Sequence, residues 1–512
     1  MEVVYVLAWT LFILYLLGTS YLGWLGHKKT GDFSSFAIGK GDMSPIVVGV
    51  TLAAATASAA TFIINPGFIY VDGFSAWIHI VLGTFSGFTI MLYLLSFRFR
   101  QIGEEAGALT LPDWIGKRYG STNFSLYFSI LNLLSFAFIV LLVGGISIVM
   151  QKLLGIGNVP ALLITLIFVT GYVFIGGTYA HVFTNMLQGS LMIIVTVVVL
   201  ISGVKLFFTA EPSFFGAILA QDTNLLSWVN TGGKLFNNFF SIYIAGFVVG
   251  ASVVCQPHIL TKALYVKSDK AVKQYLAIFT GIFILFLLLG SVGFFARITV
   301  PVEQLNDPTT GAFRQDLVMT MYLVNAFPSW VTTLIFVVLL AAAMSTLDGL
   351  LVSISTITAN DLIANLIERF GGHQLTKEEK MKISFKASHI ILVVIAVLAF
   401  LVNLNPPKLL GIFGQVGVYG MVLAAVPPLL AGVLFKKVSI KLVWITSIIG
   451  MGTHFILYLY GSNIFPNSTL TFANPGVTAT LGVLISLPIA LVGGWVFQNK
   501  EFLTKEKKEM SS

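Results

Sequence analysis

Two apolar stretches of this chain carry hydroxyl and backbone oxygens where a bilayer-embedded protein could bind a cation. TLAAATASAATFIINPGFIY runs from Thr51 to Tyr70, and LLAAAMSTLDGLLVSIST from Leu339 to Thr356. Small residues let backbones approach closely, and Asn65-Pro66-Gly67 in the first stretch frees main-chain carbonyls. Both stretches read as interrupted helices. Sodium is a hard cation and prefers oxygen ligands. An unwound segment near Ala54–Ser58 would supply carbonyl oxygens, and Ser345 and Thr346 would supply hydroxyls from a facing helix. The competing reading of those hydroxyls is hydrogen bonding back to the preceding helical turn. Asp348, one turn after Ser345, is the one acidic residue that falls well inside a span. An intramembrane carboxylate is a functional candidate by its cost alone, here either as a proton carrier or as a partner for backbone groups and hydroxyls. Ser58, Thr61, Asn65 and Gln415 are polar residues able to line a solute cavity.

The elements that must position these residues are membrane helices. Hydrophobic residues make up 57% of the chain and charged residues 10%, against roughly 45–50% and 25% in soluble domains. About thirteen stretches are long enough to cross a bilayer, which takes about 20 residues each. They start near Val3, Pro45, Ala76, Phe124, Val159, His181, Asn238, Ala271, Ser329, Ser384, Leu409, Ile440 and Val477. A soluble helical core cannot hold that many continuous apolar runs. The fold class expected is therefore all-α integral membrane, a single polytopic domain over 1–512. With the N-terminus outside, about 23 of the 29 lysines and arginines fall in inner loops or the C-terminal tail. This places the termini on opposite faces, with 497–512 as a cytoplasmic tail.

The interrupted stretches then lie on spans two and nine. Spans two to six and seven to eleven form two five-helix sets of opposite orientation, as an inverted repeat requires. The first set covers 45–209 and the second 237–435; spans one, twelve and thirteen are peripheral. The first apolar segment has no basic n-region and is long enough to span, so it reads as a retained helix. Cys255 is the only cysteine, which excludes an internal disulfide and a cysteine metal cluster. His181, His258 and His389 stand singly near span ends, where interfacial packing is the expected role. No nucleotide-binding signature and no nucleophile–base pair is present, so neither an ATP-driven pump nor an enzyme is expected. The basic charge is explained by membrane orientation and implies no nucleic acid. No cofactor and no obligate protein partner is implied; the expected partners are sodium, a small organic solute and the lipid bilayer.

Five segments, in this order, resemble the sodium:solute symporter family, which includes sodium/proline, sodium/pantothenate, sodium/monocarboxylate and sodium/glucose carriers. They are SAATFIINPG (Ser58–Gly67), TLPDWIGKRYGS (Thr110–Ser121), GGTYAHVFTNMLQGSLM (Gly176–Met192), CQPHILTKALYVKSDKAV (Cys255–Val272) and AAAMSTLDGLLVSISTITANDL (Ala341–Leu362). The resemblance implies a leucine-transporter-type fold with a five-plus-five inverted repeat. It also implies a sodium site built from the carbonyls of Ala54, Ala57 and Ala342 and the hydroxyls of Ser345 and Thr346. In the third of these segments many relatives carry an aspartate three residues before the glutamine, here Gln188; Asn185 stands there in this chain, which argues for one sodium per solute rather than two. QPHIL, on the inner side, is not expected to contact solute.

The function expected is a sodium-coupled symporter that imports a small organic solute of the pantothenate, monocarboxylate or amino-acid class by alternating access. The alternatives are a proton-coupled symporter using Asp348 and a membrane sensor that binds solute without moving it. The expected location is the cell membrane, multi-pass.

Overall fold

The computed structural model describes residues 2–58, 60–306, 311–371, 375–407 and 410–509. The expected span start at Leu409 and the last three residues of the expected tail lie outside that range. Ten described helices are long and apolar enough to cross a membrane. The longest, Asn158–Thr209, divides at Gly177, and two more helix pairs bend by 113° and 67° at short breaks. Counting the divided helix twice and each bent pair once gives thirteen, the number read from the sequence. Gly177 adopts φ 47°, ψ −134°, a conformation that a side chain disfavours. A Cβ there would also stand 2.5 Å from the Phe36 ring.

Burial separates centre from periphery. In its most apolar window the helix that starts at Ser329 is 94% buried, whereas Tyr5–His27 and Ile440–Ile464 are each 28% buried. The Ser329–Ile357 helix is thus the hub, packed against Asn158–Val204, Phe136–Leu154 and Pro45–Thr56. Leu14, Leu17, Ile167, Ile194, Ile201, Leu459 and Val492 point outward from the peripheral faces, as lipid-facing side chains should.

The structure corrects one expectation about the breaks. The Leu339–Thr356 stretch is not interrupted: it lies within the single helix Ser329–Ile357. It holds no proline and one glycine, Gly349, so its small residues make room for neighbours without unwinding. The second broken helix is instead Ala245–Val253 followed by Pro257–Leu260 and Thr261–Tyr265. Pro257 has no N–H to continue the ladder, and Gln256 before it is extended, at φ −67°, ψ 134°, as a residue preceding proline prefers. The first broken helix is as expected: Pro45–Thr56 stops, and Asn65–Asp72 resumes after a π-helical turn, Ala60–Ile64. The breaks therefore fall on the first helix of each five-helix set.

A glycine seam brings the second broken helix against Thr84–Ala106. A Cβ on Gly87 would lie 1.9 Å from the Phe247 carbonyl oxygen, and one on Gly250 would lie 2.5 Å from that of Thr84. Only glycine permits this backbone approach, the small-xxx-small packing of membrane helices.

Candidate functional site

At the first break the backbone changes partner. The Ser58 N–H bonds the Thr56 carbonyl at 3.1 Å, whereas an unbroken helix would pair it with Ala54. The released Ala54 carbonyl meets the hub helix instead. Ser345 Oγ lies 2.9 Å from Ala54 O and 2.7 Å from Ala342 O, and Thr346 Oγ1 donates to Ala55 O at 3.0 Å. Back-bonding to Ala342 and a cross-helix contact thus coexist at Ser345. Ala54 O, Ala342 O and the Ser345 hydroxyl converge on one fully buried locus, with Thr346 and Ala55 beside it. Ala57 is the residue that leaves the helix, at φ −83°, ψ 82°; the hydroxyl contacts fall on Ala54 and Ala55 rather than on its carbonyl. The cluster is made of neutral oxygens, a donor set suited to a monovalent hard cation.

The helix after Gly177 buttresses this locus. Asn185 Nδ2 donates to the Ser345 carbonyl at 2.8 Å, while Asn185 Oδ1 is buried and makes no hydrogen bond among the described residues. Gln188, one turn on, donates from Nε2 to Tyr15 Oη at 2.7 Å, and its Oε1 is likewise buried and unpaired.

Asp348 sits in a wholly buried polar chain. Its Oδ1 is 2.7 Å from His181 Nδ1, and its Oδ2 accepts from Tyr172 Oη at 2.9 Å with Thr184 Oγ1 at 3.2 Å. On the far side of the ring, His181 Nε2 is 2.9 Å from Lys262 Nζ, which also donates to the His258 carbonyl at 3.2 Å. Lys262 is 1% exposed. By its position among the basic residues that follow Cys255, Lys262 reads as part of an inner loop, and His181 and His258 read as interfacial; the structure buries all three, with His181 linking Lys262 to Asp348 and the His258 carbonyl accepting from Lys262. Nothing local marked Lys262, because its neighbours Thr261 and Lys267 read as a polar connection. His389 does pack as expected, against Phe36, Phe174 and Phe385.

Next to this oxygen cluster lies a cavity of about 210 Å³. All four expected solute-contacting residues, Ser58, Thr61, Asn65 and Gln415, line it, together with Thr346. Phe68, Phe88, Phe138, Phe236 and Phe283 form apolar walls, and among the described residues no lysine, arginine, aspartate or glutamate lines it. Gln256, His258 and Ile259 also line it, so part of QPHIL, expected on the inner side away from solute, reaches the cavity. The kink at Pro257 explains this, because it turns a segment assigned to the inner surface back into the cavity wall. Gln256 Nε2 is held by the Val253 carbonyl at 3.1 Å, and its buried Oε1 has no partner among the described residues.

The overall fold recurs in a known transporter. A structure of a Na+-coupled sialic acid symporter, in a substrate-bound outward-open state, superposes with a TM-score of 0.71 at 16% identity, covering 95% of this chain and 98% of that one. That likeness establishes the leucine-transporter-type fold. In sequence, the sodium/pantothenate symporter of Haemophilus influenzae is 26% identical over 459 residues, 89% of this chain and 90% of that protein. The sodium/proline symporter of Staphylococcus aureus (strain Newman) is 26% identical over 410 residues, 77% and 74% of the two chains. The profile of the sodium:solute symporter family matches residues 36–450. The chain belongs to the sodium:solute symporter family and is a multi-pass membrane transporter of the class that couples solute movement to sodium.

Proposed function

We propose that the protein imports a small organic solute without fixed net positive charge, with one sodium ion bound by Ala54, Ala57 and Ala342 carbonyls and the Ser345 and Thr346 hydroxyls. The observation that carries this reading is the convergence of Ser345 Oγ on Ala54 O and Ala342 O at the helix break, one residue from Thr346, which lines the solute cavity. Ion and solute then share a wall, so each can favour the same closed arrangement of the two helices, which is what coupling requires.

The cavity chemistry narrows the solute class. Its volume of about 210 Å³ is below the roughly 300–1,000 Å³ of drug-sized pockets. Aromatic walls suit an apolar face, while Ser58, Thr61, Asn65, Gln256 and Gln415 offer neutral hydrogen bonds. A carboxylate would be held by amide and hydroxyl donors rather than by a fixed cation. That profile admits pantothenate, monocarboxylates and amino acids, and disfavours polycations. One sodium crossing about 100 mV yields about 2.3 kcal/mol, and a tenfold gradient adds about 1.4 kcal/mol. For a neutral solute this supports several-hundred-fold accumulation.

Proton coupling through Asp348 is less well supported. Asp348 is already matched by His181 and, through it, Lys262, and it does not line the cavity. The orientation proposed has the N-terminus outside and Lys262, Gly177 and residues 28–44 on the cytoplasmic side of the cell membrane.

The test is uptake into proteoliposomes of radiolabelled pantothenate, lactate and a set of amino acids, under an inward sodium gradient or an inward proton gradient. Sodium-driven accumulation of one of them is the expected result, and Gln256→Ala should abolish it while leaving sodium-dependent thermal stabilisation intact. Accumulation driven by protons and indifferent to sodium would refute the proposal.

A further inference from the structure

The buried chain from Lys262 to Asp348 links three separate helices at one end of the molecule. Lys262 belongs to the second broken helix, whose other residues Gln256 and His258 line the solute cavity. His181, Tyr172 and Thr184 belong to Asn158–Val204, on either side of its division at Gly177. Asp348 belongs to the hub helix, one turn beyond Ser345.

With Lys262 as an ammonium, which can only donate, His181 Nε2 accepts from it and Nδ1–H is donated to Asp348 Oδ1. In that arrangement a neutral imidazole bridges a cation and an anion that do not touch. Asp348 is completed by Tyr172 and Thr184, and Lys262 by the His258 carbonyl. Among the described residues, the His258 ring beside Lys262 and His181, Tyr15 on Glu2–His27 and Tyr265 beside Lys262 are the remaining titratable neighbours.

The same end of the molecule is shut. Thr261 to Tyr265 are all buried, and the Tyr265 carbonyl accepts from the Met43 N–H at 3.0 Å. A void of about 10 Å³ at this end is lined by Lys262, His181, His258, Thr110 and Thr356 among others. That is room for a single water. An opening that moves the Pro257–Tyr265 segment away from His181 breaks the Lys262–His181 link.

We propose that Lys262, His181 and Asp348 form a clasp that holds the inner end of the transport path closed, and that Lys262 is a positioning residue tying the solute-lining broken helix to the helix that carries the ion hydroxyls. The inner side rests on the proposed orientation, and the role of the Ser345 helix on the proposed sodium site; the clasp itself stands on the contacts.

The test uses the full chain with Cys255→Ala and a single reporter, Thr356→Cys, in the small cavity beside Lys262. A membrane-impermeant maleimide is applied to each face of sealed vesicles in choline and in sodium. Lys262→Met and His181→Phe should each speed labelling from the Lys262 face by at least about fivefold, the lower end of typical coupling factors. The double variant should add little to either, since both break one link. A second reporter, Leu235→Cys, on the opposite wall of the central cavity, should be unaffected. Unchanged Thr356→Cys labelling in both variants overturns the clasp, and so does equal acceleration at Leu235→Cys, which would mean general loosening. If one variant cannot be purified monodisperse, the other decides alone. Acceleration in the variants with no effect of sodium on the parent leaves the clasp standing and removes the sodium reading; protection by sodium with no effect of the variants does the reverse.

Discussion

Replacing Asn185 by aspartate turns a buried hydrogen bond into a facing pair of oxygens. Asn185 is fully buried, and its Nδ2 donates to the Ser345 carbonyl at 2.8 Å. Aspartate puts an acceptor where the donor was. The Ser345 carbonyl keeps its helical N–H from Gly349 but loses its side-chain donor, at about 0.5–1.5 kcal/mol for one hydrogen bond. The new carboxylate also stands unpaired, and an uncompensated buried charge costs about 3–5 kcal/mol. A cation seated between the two oxygens removes both penalties. Asn185→Asp should therefore melt well below the parent in choline chloride and recover in sodium chloride. Binding of one added ion at 100 times its dissociation constant returns about 2.7 kcal/mol, comparable with the loss. The assay is thermal unfolding of the purified protein in detergent across a sodium series, parent and variant side by side. A melting deficit that is equal in sodium and choline would refute the reasoning, because the carboxylate would then not recruit the ion. The same logic gives the parent a coupling ratio of one sodium per solute. A ratio of two in a reversal-potential titration of the parent would show that the neutral amide suffices for a second site.

The remaining outcomes follow from particular contacts. Ser345→Ala with Thr346→Ala removes two hydroxyls worth about 1 kcal/mol each, so the sodium concentration for half-maximal stabilisation should rise by about tenfold or more; an unchanged midpoint removes them from the ion site. Gly87→Ala places a Cβ 1.9 Å from the Phe247 carbonyl oxygen and should cost at least about 1–3 kcal/mol by overpacking, whereas Gly281→Ala, with nothing within 4 Å, should melt like the parent. Reporter fusions after Gln498 should be active only in the cytoplasm; activity only on the outer face would invert the orientation argued from charge.

Membrane class, the number of spans and the first helix break were legible in the sequence because each rests on a local property. Apolar run length sets a span, and Asn65-Pro66-Gly67 cannot keep a regular ladder. Ser345 and Thr346 were legible as a hydroxyl pair on an apolar helix, and the four polar residues expected at the cavity all reached it. The second break was written locally too, in Gln256-Pro257, but it was assigned to the hub helix because small residues there looked like unwinding. Small residues also serve close packing, and only the neighbours they meet decide between the two. What the tertiary structure alone decided are the long-range pairings. Ser345 and Ala54 are 291 positions apart, and His181 and Asp348 are 167 apart. Lys262 sits in a stretch that reads as a basic inner loop, and burying its charge is favourable only with His181 and Asp348 already in place. Such a residue carries no local signature of its role, since the partner that stabilises it lies on another helix.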